Sequence, residues 1–136
     1  MLHSILTAKV VEGRGLRPTG QVVVVMSIEG QTAATEPVTA TGDPVWKEVI
    51  TFDIETGSDQ LVVQLVDASS GRIYGQGEVD LDLLRDQYKH DEWVQLEDPA
   101  TRLPAGRLLF NLHWIYSKRK FLQDILRVQD SALQEY

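Results

Sequence analysis

Between Thr41 and Phe52 the chain reads TGDPVWKEVITF, and this stretch constrains the fold more than any other. Proline fixes its own φ and keeps the residue before it out of helical geometry, so Asp43-Pro44 marks a turn. Beyond it, Trp46, Ile50, Phe52 and Ile54 share one parity, while Lys47, Val49, Thr51 and Asp53 share the other. Period-two alternation of this kind describes a half-buried strand, entered from a rigid loop and carrying a core tryptophan near the loop end. The pattern recurs in other runs. Strands are expected at Ile5–Glu12, Gln21–Glu29, Gln31–Pro37, Gln60–Asp67, Ile73–Asp80, Glu92–Glu97 and Gly106–Tyr116, separated by Gly, Pro and Ser-rich turns. Eight short strands with such punctuation mean an antiparallel sandwich. Val38–Val45 reads as a loop, and Leu81–Tyr88 has the character of a short helix.

The tryptophan strand, followed by LVVQLVDASSGRIYGQGEVDLDLL from Leu61 to Leu84, resembles C2 domains. Their N-P-x-W-x-E-x-F-x-F signature finds Asp43 at the Asn position, with Trp46, Glu48 and Phe52 retained. Their strand, metal loop, strand and short helix are matched in order by the second segment, with Tyr74 and Gly77 near the family's aromatic and glycine. The resemblance covers residues 1–116 and implies an eight-stranded C2-type β-sandwich. The long last strand suggests the circularly permuted topology, in which that strand takes the place the first one holds in synaptotagmin-like domains.

What the resemblance implies about calcium conflicts with the residues present. Calcium needs six to eight hard oxygen ligands, several of them carboxylates. C2 domains that bind it supply about five aspartates, from the first and third loops at one end of the sandwich. Here the first loop, Gly13–Gly20, is GRGLRPTG and has no carboxylate. In the third, Asp67 keeps the family's first position as a lone remnant and is expected to cap its own loop. Ser69 stands where the next aspartate belongs, and Arg72, Ile73 or Tyr74 where the last would fall. In their place this end offers Arg14, Leu16, Arg17, Arg72, Ile73 and Tyr74 as candidate contacts for a lipid or a partner, since guanidinium forks suit phosphate. The family's lysine-rich face is represented by Lys47 alone, against Glu36, Asp43 and Glu48.

From Ser117 the period changes. Phe121, Leu122, Ile125, Leu126, Val128, Ala132, Leu133 and Tyr136 recur at three- and four-residue steps with no Pro or Gly between them, which predicts an amphipathic helix over 117–136. It either packs on its own domain or begins a coiled coil, with Phe121, Leu122, Ile125, Ala132 and Leu133 as an oligomerisation stripe. A net charge of −7 argues against nucleic acid as a partner. The charge is uneven: residues 1–116 hold nine Lys or Arg against 17 Asp or Glu, and 117–136 hold four against three, including Lys118-Arg119-Lys120.

Zero cysteines exclude a disulfide framework and thiol chemistry. The N-terminus lacks the features of a secretory signal, and no apolar run reaches the length of a membrane span. A cytoplasmic protein is expected, if anything peripheral to a membrane or cytoskeletal structure. With no nucleophile motif and no His–carboxylate cluster, no enzyme, cofactor or small-molecule substrate is expected. The functional expectation is a calcium-independent C2 domain used for protein interaction, scaffolding or self-association. The alternative is calcium-independent binding of anionic phospholipid through the arginine-bearing loops.

Overall fold

The computed structural model describes residues 4–115. The helix expected over 117–136, and with it the oligomerisation stripe, lies outside the described residues. The described chain is all β apart from one 3₁₀ turn: β1 (Ser4–Arg14), β2 (Gln21–Ile28), β3 (Gln31–Ala34), β4 (Val38–Thr39), β5 (Val45–Ile54), β6 (Gln60–Asp67), β7 (Ile73–Asp80), the turn Leu81–Leu84, β8 (His90–Glu97) and β9 (Pro104–Ile115). Two expectations need correction. Nine strands replace eight, because the presumed loop after Pro37 contributes β4, two residues paired with Gln21 and Val22. The expected helix over 81–88 is only the four-residue 3₁₀ turn, capped by Asp80.

All pairings are antiparallel, in the order β3-β2-β6-β7-β8-β9-β1-β5. The path folds into two layers, β3-β2-β6-β7 and β8-β9-β1-β5, and β7 and β8 share one paired position, Gln76 with Glu97. The last strand lies between β8 and β1, where the permuted arrangement places it. Alternation does its work along each strand. In β5, Trp46, Phe52 and Ile54 are buried while Val45, Lys47, Val49, Thr51 and Asp53 face out. Leu6, Val24, Leu65, Phe110 and Leu112 complete the interior with no exposed surface. The indole Nε1 of Trp46 is buried and meets no acceptor.

Opposite the β7–β8 junction the sandwich is open, and side chains close it. The Gln31 amide on β3 donates to the Asp53 carbonyl on β5 and accepts from the Asp53 N–H at 3.1 Å. Glu48 accepts from the Glu36 N–H at 3.0 Å. Glu29 sits at φ 49 beside Gly30 at φ 80 in the two-residue β2–β3 turn, a geometry that favours Asn-Gly. Its carboxylate accepts from the N–H groups of Glu55, Thr56 and Gly57 and from the Thr56 hydroxyl, at 2.7 to 3.2 Å. Burial works to raise the pKa of Glu29, but these donors outweigh it and hold the group below the ordinary carboxylate range. Gly57 has no alternative, since a Cβ there would lie 2.5 Å from the Trp114 ring.

Trp46→Ala should cost about 3–5 kcal/mol through the cavity it leaves. Trp46→Phe should cost clearly less, because it also removes an unmet buried donor; thermal denaturation of the pair separates volume from polarity. Glu29→Ala should lose roughly 1 kcal/mol, the scale of a lost capping side chain. A depressed pKa means this stability is present above the unfolded carboxylate range and is lost as pH falls through the folded pKa. Melting curves from neutral pH to pH 3 should therefore show the variant's deficit shrinking with acid.

Candidate functional site

Because β1 and β6 run towards the same end of the sandwich, the loops after Arg14 and Asp67 meet there, together with the segments 35–44 and 98–103. Gly106 at φ 98 makes room for the first loop, since a Cβ on it would lie 2.8 Å from the Gly15 carbonyl oxygen. This is the end at which the sequence expectations place any ligand.

Asp67 caps its loop, as expected. One carboxylate oxygen accepts from the Ser70 N–H and hydroxyl, both at 2.7 Å, and from the Ser69 hydroxyl and N–H at 2.9 and 3.2 Å. The other oxygen lies 3.5 Å from the Tyr74 hydroxyl. The hydrogen bonds from Ser70 and then Ser69 hold the Asp67 pKa down to about 2. Among the described residues no three His, Asp or Glu side chains gather in a metal-binding group.

The candidate contact residues divide. Arg17, Arg72 and Tyr74 come together with Pro18, Asp98 and Ala105 around a cleft of about 180 Å³. The Arg72 guanidinium lies over the Tyr74 ring, 5.2 Å from its centroid. No carboxylate lies within ion-pair distance of Arg17 or Arg72 among the described residues. Asp98 is turned to its own loop, accepting from the N–H groups of Ala100 and Thr101 at 2.8 and 3.3 Å. Arg14 stands apart, bonded to Glu12 at 2.9 Å and 3.8 Å from Asp43. Leu16 and Tyr74 are partly buried against the core rather than projecting as apolar flanks. Ile73 is paired with Val66 in the sheet and half-buried.

A second surface was not singled out in the sequence. On the outer face of the β8-β9-β1-β5 layer, Val45, Glu12, Leu109 and Trp93 form one cross-strand row, with Val49 on the next row beside Lys9. Val45, Val49 and Trp93 are 52%, 55% and 38% exposed. Arg107 stacks over Trp93 at 4.5 Å. Strand parity does assign each of these residues to the outside. Their meeting depends on strand order, which brings residues 45 and 93 to one face.

His113, on the outward parity of β9, is half-buried, and its Nε2 lies 2.9 Å from the Gln87 carbonyl oxygen.

Comparison with known proteins agrees with this geometry. The C2 domain profile matches residues 4–96. A search of curated sequences gives no match. Among solved structures, a C2 domain-containing protein from a putative elicitor-responsive gene superposes with a TM-score of 0.73 at 16% identity, over 85% of this chain and 91% of that one. A single C2 domain of plant Extended Synaptotagmin 1 gives 0.71 at 16% identity, over 85% and 96%. The paired C2 domains of Extended-Synaptotagmin 2, solved with calcium bound, give 0.71 at 21% identity, over 85% of this chain but 44% of that one. These identities speak for the fold alone. With the profile spanning most of the described sandwich, the chain belongs to the C2 domain family.

Proposed function

We propose that this C2 domain is a calcium-independent interaction module of the cytoplasm, without catalytic activity, whose contact is protein. The row of exposed apolar side chains on the β8-β9-β1-β5 face, Val45, Val49 and Trp93 with half-buried Leu109, carries this conclusion. These apolar side chains share one face, with Glu12 and Lys9 of β1 between the β5 valines and the Leu109–Trp93 pair and with Arg107 over Trp93, a mixed surface suited to a contact on a folded domain. Tryptophan with a stacked arginine is the composition of interface anchors.

Calcium independence is supported by how Asp67 is used. It is the one carboxylate of the first and third loops. One of its oxygens already accepts four hydrogen bonds from Ser69 and Ser70. An ion would have to displace those donors and would gain one carboxylate in return, far short of the charge calcium requires.

A second reading, attachment to anionic phospholipid, is favoured by one observation: Arg17 and Arg72 share a cleft with no ion-pair partner among the described residues. Sedimentation with anionic vesicles, with and without calcium, distinguishes the two. The protein should stay in the supernatant in both conditions. Calcium-free pelleting that Arg17→Glu with Arg72→Glu abolishes would replace the protein reading with the membrane one. Pelleting only with calcium would overturn calcium independence.

Millimolar calcium should leave the melting temperature unchanged, since a ligand stabilises only by binding the native state. Asp67→Asn should lower the melting temperature at neutral pH and narrow its gap to the parent in acid. The folded pKa of about 2 lies below the ordinary aspartate value of 3.8, so the carboxylate's stabilisation is complete above that range and disappears as pH falls through it.

A further inference from the structure

Strand β5 ends the β8-β9-β1-β5 layer: β1 pairs with it on one side and no strand pairs with it on the other. The Gln31 amide takes both the N–H and the C=O of Asp53 from the open side. Asp53 and its β1 neighbour Ile5 therefore form a non-hydrogen-bonded pair. The register is unbroken from Asp53 back to Glu48, and bonded and non-bonded pairs alternate along it. Thr51 and Val49 thus also turn their backbone N–H and C=O out of the sheet edge. Among the described residues nothing hydrogen-bonds to these groups. The open window has definite ends. At one, Asp53 is occupied by Gln31. At the other, Trp46 and Lys47 bulge opposite Val11, with Lys47 at φ 55, and the bulge bends the strand away.

An open edge is a template for another strand, and the side chains beside this one match a second copy of themselves. Lys47, Val49, Thr51 and Asp53 are all exposed on the outer face of β5. With a second copy laid antiparallel about Ile50, Val49 stands opposite Thr51 of the second copy, and Lys47 opposite Asp53 of the second copy. Opposite charges and β-branched neighbours are favourable cross-strand pairs. Neither Lys47 nor Asp53 has an ion-pair partner in its own domain among the described residues. The backbone selects the same register. Val49 and Thr51 both turn their N–H and C=O outward, as a hydrogen-bonded pair requires. A shift of two residues either way would set an open residue against Lys47 or Asp53, which lie outside the window.

We infer that β5 is a self-pairing edge: two copies of this chain join antiparallel across Val49 and Thr51, carrying the β8-β9-β1-β5 layer through both. Each copy offers the same strand, so the contact is isologous and closes at two. The paired stretch is short, which puts the dimer in the weak class. Trp93 lies on β8, at the far side of the layer from this edge. A partner seated on Trp93 is therefore separable from the pairing, although Val49 borders both.

Sedimentation velocity on the full chain, from micromolar to millimolar protein, tests the pairing together with amide exchange on the same samples. The unaltered protein should shift from monomer to dimer, and the Val49 and Thr51 amides should exchange several-fold more slowly as it does. Lys47→Asp alone, or Asp53→Lys alone, sets like charges opposite each other and should weaken association several-fold. The two changes in one chain exchange the charges and should restore it. Thr51→Pro removes an N–H that β1 does not use, a place where an edge strand tolerates proline, and should leave a folded monomer. Trp93→Ser should leave the dimer intact. A chain that stays monomeric throughout, with exchange at Val49 and Thr51 independent of concentration, would overturn the proposal. So would a dimer that survives both single charge reversals, or one that Trp93→Ser dissolves, because the contact would then lie elsewhere on the chain.

Discussion

The two layers of this sandwich share backbone hydrogen bonding at one position, Gln76 with Glu97. Everything else that keeps them together is side chain. The interior supplies most of it, through Leu6, Val24, Leu65, Phe110 and Leu112 between the layers. Along the open side, where edge strands β3 and β5 would otherwise present unpaired backbone, the Gln31 amide completes the missing hydrogen bonds with Asp53. Glu29 does the same for the loop after β5. A glutamate at positive φ is unfavourable for the turn it occupies, and the four hydrogen bonds its carboxylate accepts explain why it stands there.

Antiparallel pairing also gathers the arginines. Arg14, Arg17, Arg72, Arg102 and Arg107 fall at the end where β1 and β6 finish, interleaved there with Glu12, Asp43, Asp67, Glu97 and Asp98. At the arginine end, Arg14 and Arg102 are matched to Glu12 and Glu97, which leaves the cleft of Arg17 and Arg72 as the locally cationic place.

Much of the fold was legible because it depends on period and turns alone. The alternation around Trp46 gives the inward face of β5, and Asp67, lacking the companion carboxylates of a calcium site, is expected as a loop cap. β4 escaped notice because two residues carry no period. The direction of Leu16 and Tyr74 was not legible either: both are loop-adjacent apolar residues, and only the packed end of the sandwich shows them turned inward. The Val45–Trp93 row could not be read in advance, since its members lie on strands that adjoin only through the order β5-β1-β9-β8. Glu29 only ends the expected strand Gln21–Glu29, and its partners lie more than 25 positions away, outside any local pattern.

The pairing of β1 with β9 has a mechanical side. Ile5 lies opposite Ile115, so the chain enters and leaves the described sandwich on neighbouring strands at the same end, separated by about 5 Å. Tension applied between these two points acts across the β1–β9 ladder rather than along it. The rungs then carry the load one at a time, from Ile5–Ile115 towards Arg14–Arg107, as a zipper opens. A domain loaded this way yields at low force, while the same sandwich pulled from opposite ends would resist in shear.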